Sequence, residues 1–446
     1  MKPYNRELTQ DDLDAFSQSY QDNPVLQATG RAVARVGLPG ASFRNEALRD
    51  IRHLFSLDIK TMAVSNQKAT GRCWLFAALN LLRENIAAQY NLEEFELSHN
   101  YMAFWDKYEK INYFLDVVLQ TLDEPTDGRL VTWLTGSFQD GGQWDMFVNL
   151  VRKYGVVPKQ AMPETFNSEA TGHLNYVINT MLRKSAAELR RLHRDGASAE
   201  DLDGRRREIV SALYGTLCQC FGEPPRTFTW EFSDKDRNFS RFNDLTPLDF
   251  YRRFVTLPLE DMVSIIHAPT QDKPFGKTFT VRFINNVVGG KPILYLNLDM
   301  PDLKALVLRQ MQAGEIVWFG SDVGHFGDRD LGAWFNDLYD YKGVLGLDLA
   351  MSKEDRLDYR QSAMNHAMVL TGVNLEDDKP NRWRIENSWG EERGKKGYYV
   401  ADNLWFDDYV YQAVIDRKYL SAEQLAALEQ KPIELEPWDP MGTLAD

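Results

Sequence analysis

Little in this sequence of 446 residues points to a membrane, a disulfide scaffold or a nucleic-acid surface. No stretch approaches the roughly 18 apolar residues of a membrane span, and the opening MKPYNRELTQDDLDAF lacks the apolar centre of a secretory signal. Three cysteines (Cys73, Cys218 and Cys220) are too few for a disulfide framework in a chain this long. A reducing, cytoplasmic setting is the expectation. The net charge is −14, so no surplus of Lys and Arg exists to neutralise phosphates, and nucleic acid is not an expected partner. Cys218-x-Cys220 has no second pair at metal spacing and reads as helical core thiols; the other histidines are scattered, so neither metal nor cofactor is expected. There is no internal repeat and no low-complexity tract.

What is present is ordinary globular material, 43% hydrophobic and 26% charged, enough to bury a large core. Residues 1–60 read as an N-terminal helical arm, with Thr9 capping a helix over LTQDDLDAF and Asp12 three residues on in a near capping-box arrangement. Asn23-Pro24 and the GLPG turn at 37–40 interrupt it. Residues 61–160 form a helical lobe. In it, CWLFAALNLLRENIAAQY (73–90) is apolar all round for three turns before becoming amphipathic, the pattern of a helix buried at its start. A second helix over 145–155 ends at Gly155 as a C′ residue. Residues 161–270 are a charge-laced helical insertion with Gly196 and Gly204 as breaks, a candidate oligomerisation region. From 271 to 430 short β-branched and aromatic runs (TFTVRFINNV, KPILYLNL, EIVWFG, AMVLTGVNL, RWRIENSWG, GYYVAD) read as strands. Helices first and strands last give an α+β fold of two lobes, closed by a tail over 431–446.

The chemistry lies in two distant segments. Asn66-Gln67-Lys68-Ala69-Thr70-Gly71-Arg72-Cys73-Trp74 puts a thiol in the first turn of a buried helix, where N–H groups and the helix dipole favour thiolate. Such a cysteine, taken alone, is more often inert core. Far downstream, Asn365-His366-Ala367 opens an apolar strand, and Ile385-Glu386-Asn387-Ser388-Trp389-Gly390 sits between strand and turn. A lone histidine there is usually a hydrogen-bonded core residue, and a lone asparagine a turn former. A thiolate–imidazolium pair, however, needs a third group to hold the ring, and all three residue types occur.

These segments resemble those of the papain-like cysteine peptidases, specifically the bleomycin hydrolase and aminopeptidase C branch. The matched cores cover about a quarter of the chain, spread along most of its length. Gln67 matches the oxyanion glutamine, Gly71 to Ala77 the nucleophile segment, and Asn387-Ser388-Trp389-Gly390 the asparagine segment. Asp140-Gly141-Gly142 resembles the glycine pair that lets a substrate backbone approach, with Gly142 favoured to pair with it. The resemblance implies catalytic Cys73, His366, Asn387 and Gln67, with Trp389 shielding the His–Asn hydrogen bond from water. Thr70 and Gln139 stand where secreted relatives carry a disulfide, and Arg72 replaces the usual small residue. The gap from Cys73 to His366 is roughly twice the 130–150 residues of the simple papain fold, and the insertion accounts for the excess.

The tail Glu436-Pro437-Trp438-Asp439-Pro440-Met441-Gly442-Thr443-Leu444-Ala445-Asp446 has too many prolines and glycines for a helix. A terminus of this kind commonly frays. The resemblance instead implies a tail lying in the cleft like a bound peptide, its carboxylate meeting the α-ammonium of the substrate, with Ala445 and Asp446 as binding residues. Tails of that branch end at the position of Ala445, so Asp446 is an extra residue. The expected activity is a cytoplasmic aminopeptidase acting on peptides through a thioester, assembled as a homohexamer. An endopeptidase with an open cleft, a Cys–His acyltransferase and an inactive binding scaffold are the competing readings.

Overall fold

The computed structural model describes residues 7–136 and 139–445. The helix Cys73–Tyr90 forms where expected and is buried from Cys73 through Arg83. It lies against the strand His366–Glu376, which begins at the histidine itself. Along that strand the side chains alternate across the sheet. Ala367 and Val369 join the core shared with the helix Cys73–Tyr90, which includes Trp74, Trp144 and Trp318. Met368 and Leu370 join a second core on the other face, with Phe319, Trp383 and Ile385. Both faces of the sheet are therefore covered, and its strands read as nearly continuous apolar runs.

The twelve-stranded sheet runs from the edge strand Ile433–Leu435 through Lys277–Val281, Tyr295–Asn297, Met262–Ile266, Val410–Asp416 and Val317–Ser321 to His366–Glu376. It continues through Lys379–Glu386 and Tyr398–Asp402 to the short strands Ala333–Trp334 and Gly327–Asp328, while Leu57–Asp58 pairs with His366–Glu376. Antiparallel pairing of Lys379–Glu386 against His366–Glu376 brings Glu386 opposite Val369, so that Asn387 emerges beside the start of the histidine strand. Two central strands, Met262–Ile266 and Val410–Asp416, were not expected, and the first shows that sheet structure begins ahead of residue 271.

The insertion is only partly helical. Its helices Gly172–Arg194 and Ala199–Phe221 pack on the long helix His99–Gln120. A hairpin of Phe228–Ser233 and Phe239–Leu245 follows, gathered around Trp230 with Phe242, Phe250 and Phe254. Gly196, at φ 90°, breaks the chain as expected, whereas Gly204 lies inside its helix, where neighbouring turns override its weak propensity. Cys218 and Cys220 are half-buried rather than core. In the N-terminal arm the Thr9–Asp12 capping box forms, and Gly37 at φ 78° kinks the helical segment Pro24–Ser42.

Gly155 ends the helix Trp144–Tyr154 at φ 73° and ψ −162°, a conformation essentially restricted to glycine. A Cβ there would lie 2.2 Å from the Pro247 carbonyl oxygen. Gly155→Ala is therefore expected to cost at least ~2 kcal/mol, since strain of ~1–3 kcal/mol adds to the clash. A thermal melt checks it; an unchanged midpoint contradicts the argument.

Candidate active site

Cys73 is the first residue of its helix and is buried. The Ala367 N–H donates to its Sγ at 3.4 Å, so the residue next to His366 touches the sulfur. Nε2 of His366 is held by Asn387 Oδ1 at 2.8 Å, which leaves Nδ1 as the ring nitrogen free to exchange a proton. The same oxygen accepts the Ser388 N–H at 2.8 Å and is thereby fixed itself. Trp389 stacks on the imidazole with ring centroids 4.8 Å apart, and Arg329 caps its ring at 4.5 Å.

Gln67 reaches the same place through the backbone. Its N–H donates to Ser388 O at 2.8 Å, and Gly390 N–H donates to Ser65 O at 3.1 Å. These bonds zip the loop before Cys73 to the segment after Asn387. The Gln67 side chain accepts the Ser388 hydroxyl on Oε1 at 2.6 Å and donates from Nε2 to Thr70 O at 2.5 Å. One amide hydrogen is left over. Behind this seam, Glu386 is wholly buried and accepts from Asn80 at 2.9 Å and Arg83 at 3.1 Å, both on the helix that begins at Cys73.

Desolvation dominates the electrostatics. Burial pushes the Cys73 thiol up to about 11, against the pull of N–H donors from Ala367, Trp74 and Cys73 itself. It pushes His366 down to about 4, against the hydrogen bond to Asn387. Either charge by itself is disfavoured here: the N–H groups at the helix start pull the sulfur towards thiolate, but burial outweighs them. Passing the proton from sulfur to ring creates both charges together, and their attraction in a dry site opposes that penalty.

The glycine pair divides its work. A Cβ on Gly141 would lie 2.3 Å from Leu444 O, so Gly141 faces the backbone of the tail; a Cβ on Gly142 would lie 2.4 Å from the Trp74 ring. Gly141 is thus the glycine whose Cβ side meets the Leu444 carbonyl, while the Trp74 indole fills that side of Gly142. The tail itself is ordered by specific contacts. Asp439 pairs with Lys273 at 2.9 Å, Tyr295 donates to Met441 O at 3.1 Å, and Thr443 donates to Met364 O at 2.8 Å. Leu444 is buried, and its side chain reaches Gly320. Contrary to expectation, Pro440–Ala445 forms a 3₁₀ turn. Pro440 occupies its first position, where the missing N–H costs nothing. Ala445 is half-buried, and Asp446 lies outside the described residues.

Among the described residues no group of three or more His, Cys, Asp or Glu side chains is placed to hold a metal ion, and no helix is long and apolar enough to cross a membrane. Sequence reasoning overlooked Ser388, Arg83, Glu386 and Lys107, whose partners are distant in the chain and leave no local signal.

An α+β body with a thiol, an imidazole and an amide gathered on a seam between its lobes is the architecture of a papain-like hydrolase. The chain matches the Peptidase C1-like family over residues 7–442 and belongs to it. It is 44% identical over 440 residues to an aminopeptidase C of Listeria innocua, covering 98% of this chain and 99% of that protein. It is 43% identical over 450 residues to human bleomycin hydrolase, again at 98% and 99% coverage. A crystal structure of pepw from Lactobacillus rhamnosis HN001 superposes with a TM-score of 0.97 at 46% identity, over 98% of this chain and 99% of that one.

The depressed His366 value has a stability consequence. The unfolded imidazole titrates near 6.5, so the folded state loses the contribution of this residue as pH falls from there towards 4, about 3 kcal/mol in all. His366→Gln is expected to shrink the drop in melting temperature between pH 7.5 and pH 4.5. An identical drop in parent and variant contradicts the assignment.

Proposed function

We propose that the chain is a cysteine aminopeptidase that removes N-terminal residues from peptides, with Cys73 as nucleophile, His366 as acid and base, and Asn387 and Gln67 as their partners. Cys73 Sγ passes its proton to His366 Nδ1 and attacks the scissile carbonyl. The oxyanion is met by the Cys73 N–H and the spare Gln67 amide hydrogen. His366 returns the proton to the leaving amine as the C–N bond breaks, leaving a thioester. A water activated by the same ring then hydrolyses it. Asn387 Oδ1 keeps the ring turned for both transfers, and Trp389 shields that bond.

The observation that carries the exopeptidase reading is the seat of the tail: Leu444 O against Gly141 and Thr443 on Met364, two residues before His366. On this reading a peptide-like segment there occupies one arm of the cleft, and a substrate enters by its amino end. The carboxylate end of the tail then meets the α-ammonium of the substrate. The relatives named above as aminopeptidase C and bleomycin hydrolase support this reading. A cytoplasmic location and a homohexamer belong to it through the same kinship; a monomer mass by analytical ultracentrifugation removes the second.

Two outcomes are expected. The parent cleaves fluorogenic amino-acid amides and leaves N-blocked peptides intact, and removal of the last four residues moves activity from the first to the second. Equal cleavage of blocked and free substrates by the parent sinks the exopeptidase reading. Gln67→Ala is expected to lower kcat by ~10²–10³, the usual loss of one oxyanion donor, without unfolding the protein. Unchanged turnover removes Gln67 from the mechanism.

A further inference from the structure

Asp140 is a buried carboxylate that the mechanism above does not use. Its Oδ2 accepts the Gly71 N–H at 3.1 Å and the Thr171 hydroxyl, and its Oδ1 accepts the Lys107 ammonium and Asn175 Nδ2, the latter at 3.0 Å. Its backbone carbonyl accepts the Trp74 indole N–H at 2.7 Å. Gly71 and Trp74 bracket Arg72 and Cys73, while Asp140 itself leads directly into Gly141. One residue is thus tied to both sides of the nucleophile and to the glycine that faces the tail. The approach is close, because a Cβ on Gly71 would sit 3.1 Å from Asp140 Cβ.

All four side-chain partners are donors. An ionised carboxylate can satisfy four donors; a neutral amide of the same shape turns two hydrogens on two of them. Lys107, Thr171 and the backbone of Gly71 hold the Asp140 carboxyl well below the usual carboxylate range despite its burial. Its charge in turn acts on Cys73, raising the thiol. Thr171 and Asn175 come from the start of the insertion. That stretch makes two more ties to the nucleophile loop: Arg72, itself buried, pairs with Glu164 at 3.1 Å, and Ala69 N–H donates to Glu169 O at 3.0 Å.

Resting on the nucleophile assignment above, we propose that Asp140 is a positioning residue for Cys73 and Gly141, anchored by Lys107 and Thr171, and that the opening of the insertion, Glu164 to Asn175, is part of the active-site scaffold. Asp140 touches no reacting atom. It fixes the loop carrying the nucleophile and the glycine beside the substrate backbone in one register, so loosening it misplaces the sulfur without emptying the cleft.

The test uses full-length Thr171→Val, Thr171→Ser and Asp140→Asn, read by steady-state kinetics on an amino-acid amide and by the pH dependence of Cys73 alkylation with iodoacetamide. Alkylation reports on the sulfur whichever substrate is correct, so its result stands apart from the aminopeptidase reading. Thr171→Val is expected to lower kcat about tenfold with KM within about threefold, as for loss of one hydrogen bond to a charged group, and Thr171→Ser to restore it. Asp140→Asn is expected to move the alkylation midpoint to lower pH, because a negative charge is lost while Lys107 stays. If Asp140→Asn does not fold, the threonine pair decides. The proposal is overturned if kcat of Thr171→Val stays within twofold of the parent, if Thr171→Ser fails to restore a lost rate, or if a folded Asp140→Asn alkylates with the midpoint of the parent.

Discussion

The Asn387 amide oxygen takes two hydrogen bonds at 2.8 Å, one from His366 Nε2 and one from the Ser388 N–H, and the rest of the site is arranged around that double acceptance. A single hydrogen bond to the ring would leave the amide free to rotate; the second, from the adjoining backbone, removes that freedom. Ser388 also accepts the Gln67 N–H through its carbonyl and reaches the Gln67 side chain through its hydroxyl. The amide that holds the His366 ring and the Gln67 side chain are therefore set by one short segment of chain. Small displacements of that segment move both together.

Burial is the cost of this arrangement. Glu386, next to Asn387, is wholly buried and is matched by Arg83 and Asn80 of the helix that begins at Cys73. Such a pair adds little net stability, but removing one member strands a charge in a dry seam, so it strongly disfavours any slippage between helix and strand. The same dryness raises Cys73 and lowers His366. The site accordingly resists isolated charge on either the sulfur or the ring. Hydrogen-bond donors on sulfur and the acceptor on the imidazole are what bias the proton towards the ring.

The tail and the insertion both make contacts with the segments around this centre. The tail is pinned by Asp439, Met441 and Thr443 and lays a carbonyl on Gly141, making one arm of the cleft a property of the fold rather than of a bound ligand. The insertion makes its contacts through Glu164, Glu169, Thr171 and Asn175. Thr70 and Gln139 occupy the positions where the resemblance places a disulfide. The noncovalent tie between the two loops runs instead through Gly71 and Asp140, one residue further along each.

The helix starting at Cys73, the capping arrangement at Thr9, the end of a helix at Gly155 and the strand opening at His366 were all legible, because each is written in a local pattern of period or punctuation. The strands Met262–Ile266 and Val410–Asp416 were not. The helix Asn403–Tyr409 runs into the latter without a turn residue, and Met262–Ile266 follows charged residues in a stretch of helical character. By itself the sequence determined which residue types meet: a thiol at a helix start, a histidine at a strand mouth, an asparagine between strand and turn, in that order. Only the tertiary structure decided that the thiol is dry, that Gly141 rather than Gly142 faces the tail, and that Asp140 gathers four donors. Desolvation and hydrogen-bond partnership depend on neighbours brought together from far along the chain, and no local pattern records them.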